Sequence, residues 1–254
     1  MIYVSLFILG ACLGSFALVL GLRLPEGKDV LVSRSECDNC HHILSWWELI
    51  PVFSYLFLLG KCSHCKKRIS PLNIIMEISL GSLFVYGYIN FHFCYEFYVF
   101  CIISMLMLII FVSDFNYYII NDSPLVVSSI LIITLQFVFK GWKYALINLV
   151  GGVILFFFVY LIKIIGDKAF KRESLGGGDI KFSFVMGLTL GTKIGLCSLI
   201  LSTFLALPYS VASILIKKNN EVPYGPFLVT SLFISFLFFE KFQNLLDLIF
   251  ISFV

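Results

Sequence analysis

The sequence predicts an all-α, polytopic membrane protein of about eight transmembrane helices, with a small cytoplasmic cysteine-rich insertion. Three observations carry that reading. Of the 254 residues, 60% are hydrophobic and only 13% charged, against roughly 45–50% and about 25% in soluble domains. Apolar stretches close to the ~17–25 residues that cross a bilayer recur along the chain. Four cysteines cluster in the one long polar region, 23–72. The net charge of +3 is small, and no basic run carries interleaved aromatics, which argues against a nucleic-acid partner.

The first span is 2–22. It has no charged leading region and exceeds the ~7–15 apolar residues of a secretory signal, so it is read as a membrane helix. The polar region 23–72 follows. Apolar segments then recur at 73–92, 97–113, 123–139, 144–165, 180–192, 194–216 and 225–239. The tail, 242–254, is apolar apart from Asp247, and either lies in the interface or completes a tilted last span. No internal repeat, linker or low-complexity tract stands out. The expected divisions are a first helix over 1–22, a cysteine domain over 23–72 and a transmembrane domain over 73–254.

Orientation follows from lysine and arginine in the loops. Region 23–72 carries seven: Arg23, Lys28, Arg34, Lys61, Lys66, Lys67 and Arg68. The 163–181 connection adds Lys163, Lys168, Lys171, Arg172 and Lys181, and Lys217 and Lys218 close the seventh segment. With eight spans all three fall on one face, which is then cytoplasmic, and both termini lie outside. Lys140 and Lys143 sit on the opposite face and are outvoted.

Cys37-x2-Cys40 and Cys62-x2-Cys65 form a pair of knuckles whose four thiolates suit tetrahedral zinc. A cytoplasmic, reducing location favours metal over disulfide, with two disulfides or free thiols as the other readings. Four thiolates leave no open position, so the zinc is structural. His41, His42 and His64 flank the knuckles and read as solvated turn residues rather than ligands. Cys12, Cys94, Cys101 and Cys197 have no partner pattern and read as packing. Between the knuckles, Trp46-Trp47 and the apolar run after them fit either an interfacial segment or the core of a small zinc domain.

Acids near apolar segments are few: Glu77, Asp114, Asp122, Asp179 and Asp247. Gly176-Gly177-Gly178-Asp179-Ile180-Lys181 sets three glycines before an acid at the mouth of a hydrophobic helix. Glycines permit close backbone approach, and a carboxylate at such a position is costly without a partner or a task. The charge-derived topology puts Asp114, Asp122 and Asp179 at the cytoplasmic face. Two carboxylates brought together can share one proton and serve as acid and base. By residue chemistry alone Asp179 reads rather as a helix N-cap, and Asp114 and Asp122 as solvated ends of spans. Glu77, one turn inside the second span, reads as a locally paired acid. Gly10-x3-Gly14 fits close helix contact in a bilayer. The glycine run is followed by no Walker spacing.

Taken together, the motifs resemble the bacterial type IV prepilin peptidases, including the competence and type II secretion members. The residues that carry the resemblance begin with Gly14-Ser15-Phe16, Arg23-Leu24-Pro25 and Ser35-x-Cys37-x2-Cys40. They continue with Trp47-Glu48-Leu49-Ile50-Pro51-Val52-Phe53-Ser54-Tyr55, Gly60-Lys61-Cys62-x2-Cys65, Ile69-Ser70-Pro71 and Glu77. Asp114, Gly176-x-Gly178-Asp179-x-Lys181 and Tyr224-Gly225-Pro226-Phe227 close the set. The resemblance implies a GxGD-type aspartyl endopeptidase with catalytic Asp114 and Asp179, and a substrate-binding stretch at Gly176, Gly177 and Gly178. It implies prepilin or pseudopilin substrates cut after a glycine that follows a basic leader. It also implies N-methylation of the new terminus with S-adenosylmethionine, and associates the cysteine loop with that step. No methyltransferase fold is legible, and Glu48 and Lys61 are candidates by position only. The family's Asp-x6-Pro-Asp/Asn pattern departs here to Asn121-Asp122 with Pro124 beyond. That loosens the expected start of the fourth span and leaves Asp122 as a lesser candidate for the dyad.

Two other readings compete. One is a membrane zinc module that scaffolds pilus or secretion assembly without catalysis. The other is a transporter with a proton relay, which expects acids near the midplane rather than at one face.

Overall fold

The structure is a computed structural model that describes residues 1–30, 34–37, 39–171, 173–217 and 222–251. Arg172 and Lys218, counted above in the loop charge, lie outside the described residues, as does the end of the tail. The described chain is helical, with isolated bridges and no extended strand. It divides into two compact units, Met1–Phe97 and Tyr98–Val254.

The first unit is built on α1 (Ile2–Arg23) and α3 (Leu72–Phe91). In lipid, apolar side chains gain little by leaving one apolar neighbour for another, so small residues that let backbones touch decide helix pairing. Gly14 shows this directly. A Cβ there would stand 2.5 Å from the Met76 carbonyl oxygen and 3.0 Å from the Glu77 Cα. The expected Gly10-x3-Gly14 contact is therefore with α3.

Between α1 and α3 lies the cysteine insertion, with a 3-10 turn (Trp46–Leu49) and α2 (Phe53–Phe57). It contains a local repeat that the sequence did not reveal. Cys37 N–H bonds the His42 carbonyl, and Cys62 N–H bonds the Lys67 carbonyl. His41 and Lys66 both take positive φ, 53° and 60°. The bridge Glu36–Ile43 returns as Lys61–Arg68. Each contact of one knuckle thus recurs in the other at the same offset. Trp46 is 80% exposed and Phe57 83%, so this stretch is not the core of a zinc domain, and the interfacial alternative stands.

The second unit holds most of α4 (Tyr95–Tyr117), then α5 (Asp122–Lys140), α6 (Trp142–Phe170), α7 (Gly177–Lys217), α8 (Gly225–Leu237) and α9 (Phe239–Ile251). Val127, Ile130, Phe137, Ile147 and Phe157 are exposed on α5 and α6 and form the lipid-facing surface. Polar side chains such as Ser104, Ser183, Gln136 and Asn148 are buried instead. Among the described residues, six helices are long and apolar enough to cross a membrane, or up to seven if the bent pair α8–α9 counts as one span. That count takes α7 once.

α7 is in fact broken. Gly191 has φ 74° and ψ 174°, outside any helix. Eight residues of continuous helix would separate Gly187 from Gly195 by about 12 Å, yet a Cβ on Gly195 would stand 3.6 Å from the Gly187 Cα. The chain therefore reverses at Gly191, and 177–190 and 192–217 run back to back. These legs match the separate segments 180–192 and 194–216 read from the sequence, and every one of the eight segments has a helical counterpart. The break frees the Leu188 carbonyl, which in an unbroken helix would bond the N–H four residues on. Buried Gln136 of α5 supplies the replacement, its Nε2 donating to that carbonyl at 2.8 Å. At the other end α9 turns by 82° from α8, so the tail does not extend the last span in a straight line.

Candidate active site

Asp114 lies in the last turn of α4 and is 5% exposed. Its Oδ2 accepts the Gly225 backbone N–H at 2.8 Å, the first residue of α8. Pro226 follows in the first turn, where a missing N–H costs nothing, so the Gly225 amide is the donor that α8 presents. Helix N-termini attract negative charge, and this one is spent on a carboxylate.

Asp179 is the third residue of α7, within the first turn rather than at the N-cap. Its carboxylate folds back on the Gly176 N–H and stands within coulombic reach of Asp114. The structure thus brings the two aspartates together, from helices separated by sixty residues of sequence. The connection between α4 and α5 closes the arrangement. Tyr118 turns at φ 56°, and Ile120 packs into the gap. A Cβ on Gly178 would stand 2.7 Å from the Ile120 Cβ, and one on Gly225 would stand 2.9 Å from Asp114 Oδ2. Gly176 borders the Asp179 carboxylate, whereas Gly177 faces open space. A cavity of about 740 Å³ opens beside Asp179, walled by α6, both legs of α7 and the start of α8. Its lining is largely apolar.

Asp122 is not part of this pair. It is exposed, and Lys181 Nζ holds its Oδ2 at 2.6 Å. The displaced proline has no loosening effect: α5 starts at Asp122 and Pro124 falls in its first turn, where proline is tolerated. Glu77 is paired, though not with a neighbour in sequence: its Oε2 accepts the Val52 N–H at 2.7 Å, 25 residues away.

In the first unit, Cys37, Cys40, Cys62 and Cys65 place their sulfurs within 4.8 Å of one another. Cys37–Cys65 and Cys40–Cys62 are each 3.9 Å apart. Zn–S bonds of about 2.3 Å in a tetrahedron set sulfurs somewhat under 4 Å apart, so these four fit a metal ion. The Lys67 backbone N–H, with help from Asn39 and the other thiols, holds the Cys65 thiol down at about 6, toward the thiolate a metal needs. His42 stacks on His64 at 5.2 Å, and His41 pairs with Glu36, so none of the three joins the cluster.

Glu48 is buried beside a cavity of about 240 Å³ lined by α1, α3 and the insertion. Burial opposes its charge, but the Ser63 hydroxyl, the Ser45 N–H and His42 outweigh that and hold the carboxyl below the usual range. Its Oε1 finds no hydrogen-bond partner among the described residues. Lys61 is exposed and does not line this cavity.

Sequence reading missed the Gly225 amide and the pairing of Tyr224 with Ser202, whose hydroxyls are 2.7 Å apart. The signal was Tyr224-Gly225-Pro226 ahead of an apolar run.

Comparison with known proteins agrees with this layout. The bacterial peptidase A24 N-terminal domain matches residues 8–91, and the type IV leader peptidase family matches residues 101–211. The prepilin leader peptidase/N-methyltransferase of Bacillus subtilis is 29% identical over 92% of this chain and 93% of that protein. The protein of that name in Vibrio cholerae is 29% identical over 92% and 96%. Its counterpart in Myxococcus xanthus is 32% identical over 74% of this chain and 56% of its own length. No solved structure matches. With both domains matched in order along a multi-pass helical chain, the protein belongs to the bacterial type IV leader peptidase family.

Proposed function

We propose that the chain is a membrane aspartyl endopeptidase that removes the basic leader of type IV prepilins or pseudopilins at the cytoplasmic face and N-methylates the new terminus. The observation that carries the peptidase reading is the meeting of Asp114 and Asp179 beside an apolar cavity. Such a pair holds one proton between two carboxylates. One carboxylate takes a proton from water as it adds to the peptide carbonyl carbon. The other donates a proton to the carbonyl oxygen, and the proton gained by the pair then passes to the leaving amine as the C–N bond breaks. The pair titrates as a unit, so neither acid is given a fixed role. Gly176, which lines the cavity, lets the substrate backbone lie beside Asp179, while the substrate's apolar segment stays in lipid. The cytoplasmic placement rests on the loop charge.

The methyl donor, S-adenosylmethionine, supplies an electrophilic methyl group on a sulfonium cation. Glu48, with an unpartnered buried oxygen facing a cavity, is the group in the first unit that fits a cation. The four cysteines hold a structural zinc ion beside it in sequence. The non-catalytic scaffold reading leaves the paired acids without a task, and the peptidase family match does not favour it.

Co-expression with a prepilin and mass spectrometry of the product tests both activities. The wild-type protein yields a shortened pilin with one added methyl group. Asp114→Asn and Asp179→Asn each lower cleavage by at least about a thousandfold, within the ~10²–10⁴ range of lost acid–base catalysis. Mature pilin from either variant would sink the dyad.

A further inference from the structure

Several hydroxyls line the cavity beside Asp179, and the phenol of Tyr224 is within coulombic reach of the Asp179 carboxylate. The hydroxyl-bearing wall residues on α7 spend their protons within their own helix. Thr203 Oγ1 donates to the Ile200 carbonyl at 2.7 Å, and Ser210 Oγ donates to the Ala206 carbonyl at 2.9 Å. Tyr224 differs, because it lies just ahead of α8 and is held across to Ser202 of α7 at 2.7 Å. A serine hydroxyl has a single proton, and that of Ser202 goes to the Leu199 carbonyl at 2.7 Å. The phenol proton of Tyr224 must then be the one shared with Ser202 Oγ. Proton parity leaves Tyr224, like Thr203 and Ser210, no donor to offer and lone pairs to accept with, but Tyr224 carries them next to Asp179 on the wall that Gly176 also lines.

A peptide can be attacked only where its backbone has left the helix. Unwinding releases N–H groups, and in an apolar cavity each needs an acceptor. We propose that the Tyr224 phenol oxygen is a substrate-positioning acceptor that takes a backbone N–H of the unwound segment flanking the scissile bond. This rests on the peptidase reading above. Orientation by Tyr224 adds register to a cavity whose apolar walls alone would let a helix slide. The hydroxyl pair also fixes the segment that leads into Gly225, and so a purely structural role is the competing account.

Two variants separate the accounts. Tyr224→Phe keeps the ring and removes the oxygen. Ser202→Ala breaks the same hydroxyl pair and leaves the oxygen in place. With purified protein and a prepilin peptide, Tyr224→Phe is expected to raise KM about fivefold to tenfold, with kcat within about twofold, as for loss of one hydrogen bond. Ser202→Ala is expected to leave KM within about twofold. Peptides in which one flanking backbone N–H at a time is replaced by an ester oxygen locate the bond. On the matching ester the wild type loses the same factor, and Tyr224→Phe loses nothing more. Equal penalties for the two variants, or a Tyr224→Phe penalty that persists on every ester, would overturn the proposal. Methylation of an already mature pilin reports that each variant is folded. A wild-type protein that leaves the all-amide peptide uncut would instead overturn the peptidase reading, and the proposal with it.

Discussion

At position 225 a single methyl group decides whether Asp114 keeps its place. A Cβ there would stand 2.9 Å from Asp114 Oδ2, from Ile110 Cγ2 and from Ile120 Cδ1. Nothing on that list is a flexible chain end in open space, so Gly225→Ala must push either the carboxylate or the start of α8 aside. A shift of about 1 Å in a reacting group can cost about a hundredfold. Gly225→Ala is therefore expected to lower prepilin cleavage at least about a hundredfold, measured as kcat/KM, while methylation of mature pilin persists. Equal loss of both activities would point to misfolding instead. The two aspartates were singled out by the family resemblance, since residue chemistry alone reads Asp179 as a helix N-cap and Asp114 as a solvated span end. The Gly225 donor was not, since Tyr224-Gly225-Pro226 marks a helix start without showing which carboxylate its amide meets. Nor was the Tyr224–Ser202 pair, whose partners lie on different helices.

Among the elements, the broken α7 and the cysteine insertion show opposite limits of sequence reading. The α7 legs were placed correctly by apolar runs on either side of Gly191-Thr192-Lys193, where a glycine and a lysine interrupt the hydrophobic segment. What the sequence could not show is that Gln136, distant in the chain, completes the hydrogen bonding of the break. In the insertion the cysteine spacing was plain, but the matching turns at His41 and Lys66 were hidden behind different residues. That repeat matters for stability. Each knuckle has few internal backbone bonds, and the tryptophans beside them are exposed rather than packed, so the proposed zinc ligation would supply the folding energy of this element. Purified protein is expected to carry one zinc ion per chain. Cys37→Ser or Cys62→Ser should remove it and make the insertion sensitive to protease, whereas Cys12→Ser, exposed on α1, should do neither. Methylation is expected to fall with zinc content, with cleavage retained. Full zinc occupancy in Cys62→Ser would overturn the four-thiolate site.

For the molecule as a whole, the charge of the loops predicts an orientation that the helices alone do not specify. Even with every span fixed, α1 could run in either direction through a bilayer. Lysine and arginine retained on the cytoplasmic side break the tie, and Lys28 and the basic residues of the insertion choose it. The chain carries its own reporter for the other face. Cys94 is exposed in the short turn between α3 and α4, a turn with no lysine or arginine. Cys12, Cys101 and Cys197 lie within the helices α1, α4 and α7, away from an aqueous reagent. In protoplasts or spheroplasts, a membrane-impermeant maleimide is therefore expected to label Cys94, and Cys94→Ser should abolish the signal. Restoring a thiol as Lys28→Cys in that background should give no label until the membrane is opened. Labelling of Lys28→Cys in sealed cells, with Cys94 protected, would invert the topology. It would also move Asp114 and Asp179, at the ends of α4 and α7 that the same span count assigns to the cytoplasm, to the outer face, away from newly made prepilin leaders.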